Sequence, residues 1–80
     1  MTRVLFFGKV ADMVGRELEV SLPDGGCTIG ELRRRVAAQT RSDILLQPGV
    51  RASLDKQVTT DEARVSAGSE VAFFSLFSGG

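Results

Sequence analysis

The chain has no histidine and only one cysteine, Cys27. Histidine is the usual general base of enzymes and the commonest metal ligand, so its absence excludes a histidine-based catalytic dyad and the ordinary zinc sites. One thiol cannot form an intrachain disulfide, and Cys27 is expected to be a small neutral side chain in front of a helix. Since the sequence also lacks a phosphate-binding loop, we predict no metal site and no permanently bound cofactor.

Net charge and long apolar runs are lacking too. Lysine plus arginine and aspartate plus glutamate number ten each, which argues against nucleic acid as a partner. The basic run at residues 33–35, which starts at Arg33, is interpreted as the solvated face of a helix. No window approaches the roughly 20 apolar residues that span a bilayer, and residues 1–7 lack the layout of a signal peptide. We therefore expect a cytoplasmic protein without membrane contact.

The apolar pattern predicts strands at both ends of the chain. Residues 4–7 and 71–74 are short apolar runs, the second within a strand expected at 70–74, and such runs are typical of strands that lie in the middle of a sheet. Residues 17–22 alternate strictly between apolar and polar side chains, which indicates a strand with one face on a core. Because 80 residues form one domain with a small core, there is little room for a deep private active site.

One main helix is predicted between these strands. Thr28 and Glu31 match a capping box, and the apolar stripe that follows gives the helix a single buried face. Shorter elements are expected at residues 9–15 (helix), 50–54 and 57–58 (strands), and 60–65 (a capped helical turn).

This element order favours an α+β fold in which the two end strands lie side by side and parallel in the middle of a mixed sheet. That is the β-grasp arrangement, with four to five strands and one main helix packed on one face. Residues 1–74 would form this domain, and residues 75–80 a flexible C-terminal tail.

A helix on one face leaves the other face of the sheet uncovered. The strand period of two predicts that Leu5, Phe7, Ala72 and Phe74 point away from the helix and form an apolar patch. Such patches on small proteins are often interaction sites, so we expect a partner to bind there. The alternative is a register shifted by one residue, in which these four side chains belong to the core.

The tail adds further candidate site residues. Gly79 and Gly80 lack a Cβ, which would let a terminal carboxylate enter a narrow channel of another protein. The six tail residues reach at most about 20 Å when fully extended. The additional partner contacts would be Leu76, Phe77 and Ser78. The alternative is an ordinary frayed chain end.

Together these features resemble the small subunit of molybdopterin synthase, a ubiquitin-like sulfur carrier. The resemblance spans almost the full length and rests on residues 4–7 with Val14 and Gly15, on residues 28–36, and above all on Gly68, residues 70–74 and residues 78–80. It implies that an ATP-dependent activating enzyme adenylates the Gly80 carboxylate and that a sulfur donor converts it to a thiocarboxylate. The large synthase subunit, in a heterotetramer, would then pass the sulfur to cyclic pyranopterin monophosphate.

On this interpretation the chain is a carrier and not a catalyst, with ATP used only by the activating partner. One departure from the family pattern concerns the tail, where Ser75 and Leu76 stand in place of a usual proline pair. Proline pairs favour a stiff extended segment, so the tail geometry is expected to differ. The alternatives are a sulfur carrier for thiamine synthesis or transfer RNA thiolation, attachment through Gly80 to a partner lysine, and an interaction module that is never activated.

Overall fold

The computed structural model describes residues 2–75. A five-stranded sheet has the order β2-β1-β7-β4-β5, and a separate two-stranded sheet pairs β3 with β6. The strands are β1 (Thr2–Phe7), β2 (Glu17–Val20), β3 (Cys27–Thr28), β4 (Val50–Leu54), β5 (Gln57–Thr59), β6 (Arg64–Val65) and β7 (Glu70–Ser75). The helices are α1 (Lys9–Val14), α2 (Ile29–Thr40) and a 3-10 turn at Ile44–Leu46.

The two end strands lie side by side in the middle of the sheet. Strand β1 pairs with β7 in parallel, while β2 and β4 flank them in antiparallel orientation. The inward side chains of the central pair are buried, and the rings of Phe6 and Phe73 stack with centroids 6.3 Å apart. Burial of these apolar side chains is the main stabilising term of such a small domain. The predicted mixed sheet with one main helix on one face, the β-grasp fold, is confirmed.

Helix α2 begins as the capping box predicts. The Thr28 backbone N–H donates to the Glu31 carboxylate at 2.8 Å, and the Glu31 N–H donates to the Thr28 hydroxyl at 3.1 Å. These bonds satisfy two backbone N–H groups that a helix start otherwise leaves without partners. The face of α2 toward the sheet is buried through Ile29, Leu32 and Val36.

The interpretation of Arg33 as part of a solvated face is wrong. Its side chain is only 13% exposed and forms an ion pair of 2.8 Å with Asp61. One terminal nitrogen also donates to the carbonyl oxygens of Leu45 at 2.9 Å and Val50 at 2.8 Å. The neighbouring Arg34 and Arg35 are exposed, as expected. A long arginine stem can lie along apolar surface while its head satisfies buried carbonyls, and only the tertiary fold brings those carbonyls close.

The predicted helical turn at residues 60–65 is also wrong. The chain makes a tight turn there, in which the Ala63 N–H donates to the Thr60 carbonyl at 3.2 Å, and then forms β6. Strand β6 pairs with β3, a strand that the sequence did not indicate. The Ile29 N–H donates to the carbonyl oxygen of Ala63 at 2.9 Å, so the turn that precedes β6 covers the start of α2. The predicted strand at 17–22 is two residues shorter and ends at Val20.

Candidate functional site

The four side chains predicted to face away from α2 do so. In the parallel register Leu5 lies opposite Ala72, and Phe7 lies opposite Phe74. Phe7 is 53% exposed, and the other three are partly buried. The side chains that alternate with them, those of Val4, Phe6, Val71 and Phe73, are buried on the opposite side of the sheet, so the register shifted by one residue is not the one observed. The sheet therefore brings together the four residues chosen from sequence.

Strands β4 and β5 add three side chains to this surface that sequence reasoning missed. Ser53 lies opposite Ala72, and Arg51 lies opposite Phe74. Val58 lies opposite Ser53 on the edge strand and is 64% exposed. We call the seven side chains the outer face: Leu5, Phe7, Arg51, Ser53, Val58, Ala72 and Phe74. The alternation in β4 indicates which of its residues share a face, but not that β4 lies next to β7.

Charged residues lie at the end of the sheet away from the tail. Arg3 forms an ion pair with Glu17 at 2.9 Å, and the hydrogen bond to this carboxylate raises the pKa of Arg3 above its ordinary value. Glu19 and Glu70 lie opposite Arg3 on the two neighbouring strands. This end therefore carries more acidic than basic groups, and its arginine is already paired.

The tail begins at the other end of the sheet. Ser75 ends β7 and lies opposite Val50 of β4, beside a cleft of about 430 Å³. The cleft is lined by Lys9, Ile44, Gln47, Pro48, Gly49, Val50 and Ser75. Because β1 and β7 are parallel, Phe7 and Phe74 lie at this same end. Five candidate site residues lie outside the described residues: Leu76, Phe77, Ser78, Gly79 and Gly80. Their roles, and the division of the chain at residue 74, stay predictions.

Within residues 2–75 the side chains offer little chemistry of their own. Burial raises the pKa of the Cys27 thiol, which keeps it protonated and unreactive. No group of three or more His, Cys, Asp or Glu in this part of the chain is placed to hold a metal ion. None of the helices formed by these residues combines the length and the apolar character needed to cross a membrane. The outer face, which adjoins the start of the tail, is the candidate functional site.

The sequence matches one protein family, and the fold is similar to those of several solved structures. The model of the ThiS family matches residues 4–80. The crystal structure of SAMP1 from Haloferax volcanii is similar with a TM-score of 0.82 and 19% identity, covering 99% of this chain and 98% of that one. A Pyrococcus furiosus protein described as molybdopterin converting factor, subunit 1, has a TM-score of 0.79 and 15% identity over 92% and 94% of the two chains. Among curated proteins, none has a sequence that matches.

Proposed function

The chain belongs to the ThiS family, and from this premise we infer that it is a sulfur carrier whose reactive atom is carried at Gly80. We propose that it is the small subunit of molybdopterin synthase. In that role the thiocarboxylate of Gly80 supplies sulfur to cyclic pyranopterin monophosphate, within a complex that also contains the large subunit.

The observation that carries the proposal is the position of the outer face relative to the tail. The parallel register of β1 and β7 puts Phe7 and Phe74 next to each other at the end of the sheet where β7 stops. A partner bound on these rings would lie beside the start of the tail. The five residues after Ser75 reach at most about 17 Å, which is enough to bring Gly80 into a pocket of that partner.

The chemistry assigned to Gly80 needs no catalytic group from this chain. Its carboxylate oxygen attacks the α-phosphorus of ATP on an activating enzyme, and pyrophosphate leaves. A sulfur nucleophile at the oxidation level of sulfide, provided by a sulfur donor, then displaces AMP from the acyl carbon. The resulting thiocarboxylate is a nucleophile held at high effective concentration once the carrier is docked. Acid, base and nucleotide sites would all belong to the partners.

The choice of cyclic pyranopterin monophosphate as the sulfur acceptor rests on features of strand β7 and on the length of the chain. The double phenylalanine of β7, Phe73 and Phe74, and the chain length resemble the molybdenum pathway more than a carrier for thiamine synthesis or transfer RNA thiolation. The similarity to the Pyrococcus furiosus protein, described as a subunit of molybdopterin converting factor, supports the same choice at the level of the fold.

A second candidate function is that of a ubiquitin-like protein modifier. Its support is the fold similarity to two crystal structures from Haloferax volcanii, that of SAMP1 with a TM-score of 0.82 and that of the small archaeal modifier protein 1 with a TM-score of 0.79. A modifier would use the same Gly80 acyl-adenylate, but a lysine of a target protein would displace AMP and form an amide bond. The two candidates therefore differ in the nucleophile that follows activation.

Reconstitution tests the proposal. The purified chain is incubated with an activating enzyme, ATP and a sulfur donor, and its intact mass is measured. We expect a mass gain equal to the replacement of one oxygen by sulfur. Addition of the large subunit and cyclic pyranopterin monophosphate should then move this one sulfur per carrier to the pterin and restore the original mass of the chain.

The matched control is a chain that lacks Gly80, which should show no mass gain. A carrier that gains sulfur but transfers it only to a thiamine precursor or to transfer RNA would overturn the choice of acceptor. Amide conjugates to lysine without thiocarboxylate would favour the modifier. A chain that never reacts with ATP would be an interaction module and would refute both candidates.

A further inference from the structure

Arg51 is the charged side chain of the outer face, and it lies at the end where the tail begins. Val50 and Ala52, its neighbours in β4, are buried toward α2, so Arg51 points to the opposite side and is exposed. It lies opposite Phe74 in the β4–β7 register. Phe74 in turn lies opposite Phe7, so the cation and the two rings form one row across three strands.

Within residues 2–75, the Arg51 side chain forms no hydrogen bond or ion pair; the contacts of Arg51 are those of its backbone in the β4–β7 ladder. A second arginine on this side of the sheet, Arg3, is already paired with Glu17 at 2.9 Å, and an exposed third, Arg16, lines a cleft beside Leu5 and Phe7. Glu19 and Glu70 flank Arg3 in the sheet. The charge on this surface therefore differs between its two ends. The end near the tail carries an unpaired cation, and the far end carries an excess of acidic groups.

We propose that the partner that docks on the outer face presents a carboxylate side chain to Arg51, and that this ion pair sets the direction in which the partner sits. The inference rests on the proposed function, since it assumes docking through Phe7 and Phe74. Apolar contact is non-directional, whereas opposite charges fix the register of an interface and exclude the reversed one. A reversed partner would hold its own acidic group against Glu19 and Glu70 and would face away from the tail.

The partner surface is thereby specified by its chemistry. It has an apolar area that covers the two rings and an aspartate or glutamate on the side that adjoins the tail entrance. The orientation matters because Gly80 can be used only if the partner's pocket lies within the reach of the tail. Arg51 would act as a positioning residue and would not touch the reacting atoms.

The test measures the affinity of the large subunit of molybdopterin synthase, from the same organism, for the full chain and its variants at two salt concentrations. We expect Arg51→Ala to weaken binding several-fold and Arg51→Glu to weaken it by about tenfold or more. Arg51→Lys should retain part of the affinity. The affinity of the wild-type chain should fall with salt more steeply than that of Arg51→Ala, because the variant lacks one of the charge pairs that salt screens.

Arg34→Glu is the matched control, since Arg34 is also exposed but lies on α2, on the other side of the sheet. It should bind like the wild-type chain, and the unfolding midpoints of all variants should agree. If Arg51→Glu binds like the wild-type chain with the same salt dependence, the role of Arg51 is refuted while the docking remains. If the wild-type chain itself does not bind, the proposed molybdopterin function fails, and the inference falls with it.

Discussion

The guanidinium of Arg33 lies over the ring of Phe73, with its central carbon 5.3 Å from the ring centroid. A cation above an aromatic face is attracted by the quadrupole of the neutral ring, whose face is partially negative. The same group donates hydrogen bonds to the carbonyls of Leu45 and Val50. One side chain of α2 therefore connects the 3-10 turn, the start of β4 and the strand that leads into the tail.

Replacement of Arg33 by methionine should lower the free energy of unfolding by about 2–3 kcal/mol, because it leaves two part-buried carbonyls without their donor. The ion pair with Asp61 contributes little to this figure, because the Asp61 side chain is half exposed to solvent. Urea unfolding measures the effect. Arg34→Met is the matched control and should stay within about 0.5 kcal/mol of the wild-type chain. Equal stability of the two variants would contradict the structural role of Arg33.

The outer face predicts different outcomes for two exposed apolar residues. Phe7 is 53% exposed on the outer face, and Met13 is 60% exposed on α1. Phe7→Asp should keep the fold but abolish measurable complex formation with the proposed partner, the large subunit of molybdopterin synthase, because a carboxylate in an apolar contact loses its hydration without compensation. Met13→Asp should bind normally. Calorimetric titration measures binding, and circular dichroism checks the fold.

Unfolding of Phe7→Asp would show that this side chain is part of the core, against its observed exposure. Loss of binding by both variants to the same extent would mean that the outer face is not the docking surface. Phe74→Asp is less discriminating, because Phe74 is partly buried and its replacement also costs stability.

The glycine pair before β3 allows a sharp comparison of backbone strain and steric overlap. Gly25 and Gly26 have φ angles of +83° and +82°, but only at Gly26 would a Cβ overlap with the carbonyl oxygen of Val65. Gly25→Ala should cost about 1 kcal/mol for the left-handed backbone alone. Gly26→Ala should cost roughly 2–4 kcal/mol, since strand β6 must also move. Thermal unfolding measures which variant loses more stability. Equal losses of stability in the two variants would refute the close contact between Gly26 and the Val65 carbonyl.

The capping box of α2 predicts a pH dependence of stability. The Thr28 backbone N–H and hydroxyl donate to the Glu31 carboxylate, which lowers the pKa of Glu31. Because the folded-state pKa is depressed, this stabilisation is fully present above the unfolded-state value of about 4.3. It is lost as the pH falls through the folded-state value. The stability advantage of the wild-type chain over Glu31→Gln should therefore shrink between about pH 5 and pH 3.

Urea unfolding at several pH values measures this difference. Glu62→Gln, in the exposed turn before β6, is the matched control for a change of net charge. A difference between the wild-type chain and Glu31→Gln that stays constant over this range would mean that the capping carboxylate does not contribute to the pH dependence.

Much of the fold could be predicted because it depends on neighbours in the chain. The capping box at Thr28 involves residues three apart, and the turn at Asp55 and Lys56 adopts positive φ angles of 50° and 72° between two paired strands. The alternation of side chains in β1 and β7 then identified four of the seven members of the outer face. These are local rules of helix starts, turns and strands.

What only the tertiary structure decided are the contacts between distant segments. Arg33 belongs to a run of three arginines, and no local pattern distinguishes it from its exposed neighbours. Its hydrogen-bond partners lie 12 to 28 positions away, and Phe73 lies farther along the chain still. The pairing of β3 with β6 and the place of Arg51 beside Phe74 depend likewise on which strands become adjacent. Local sequence determines the shape of each element, whereas burial of their apolar faces against one another determines which side chains meet.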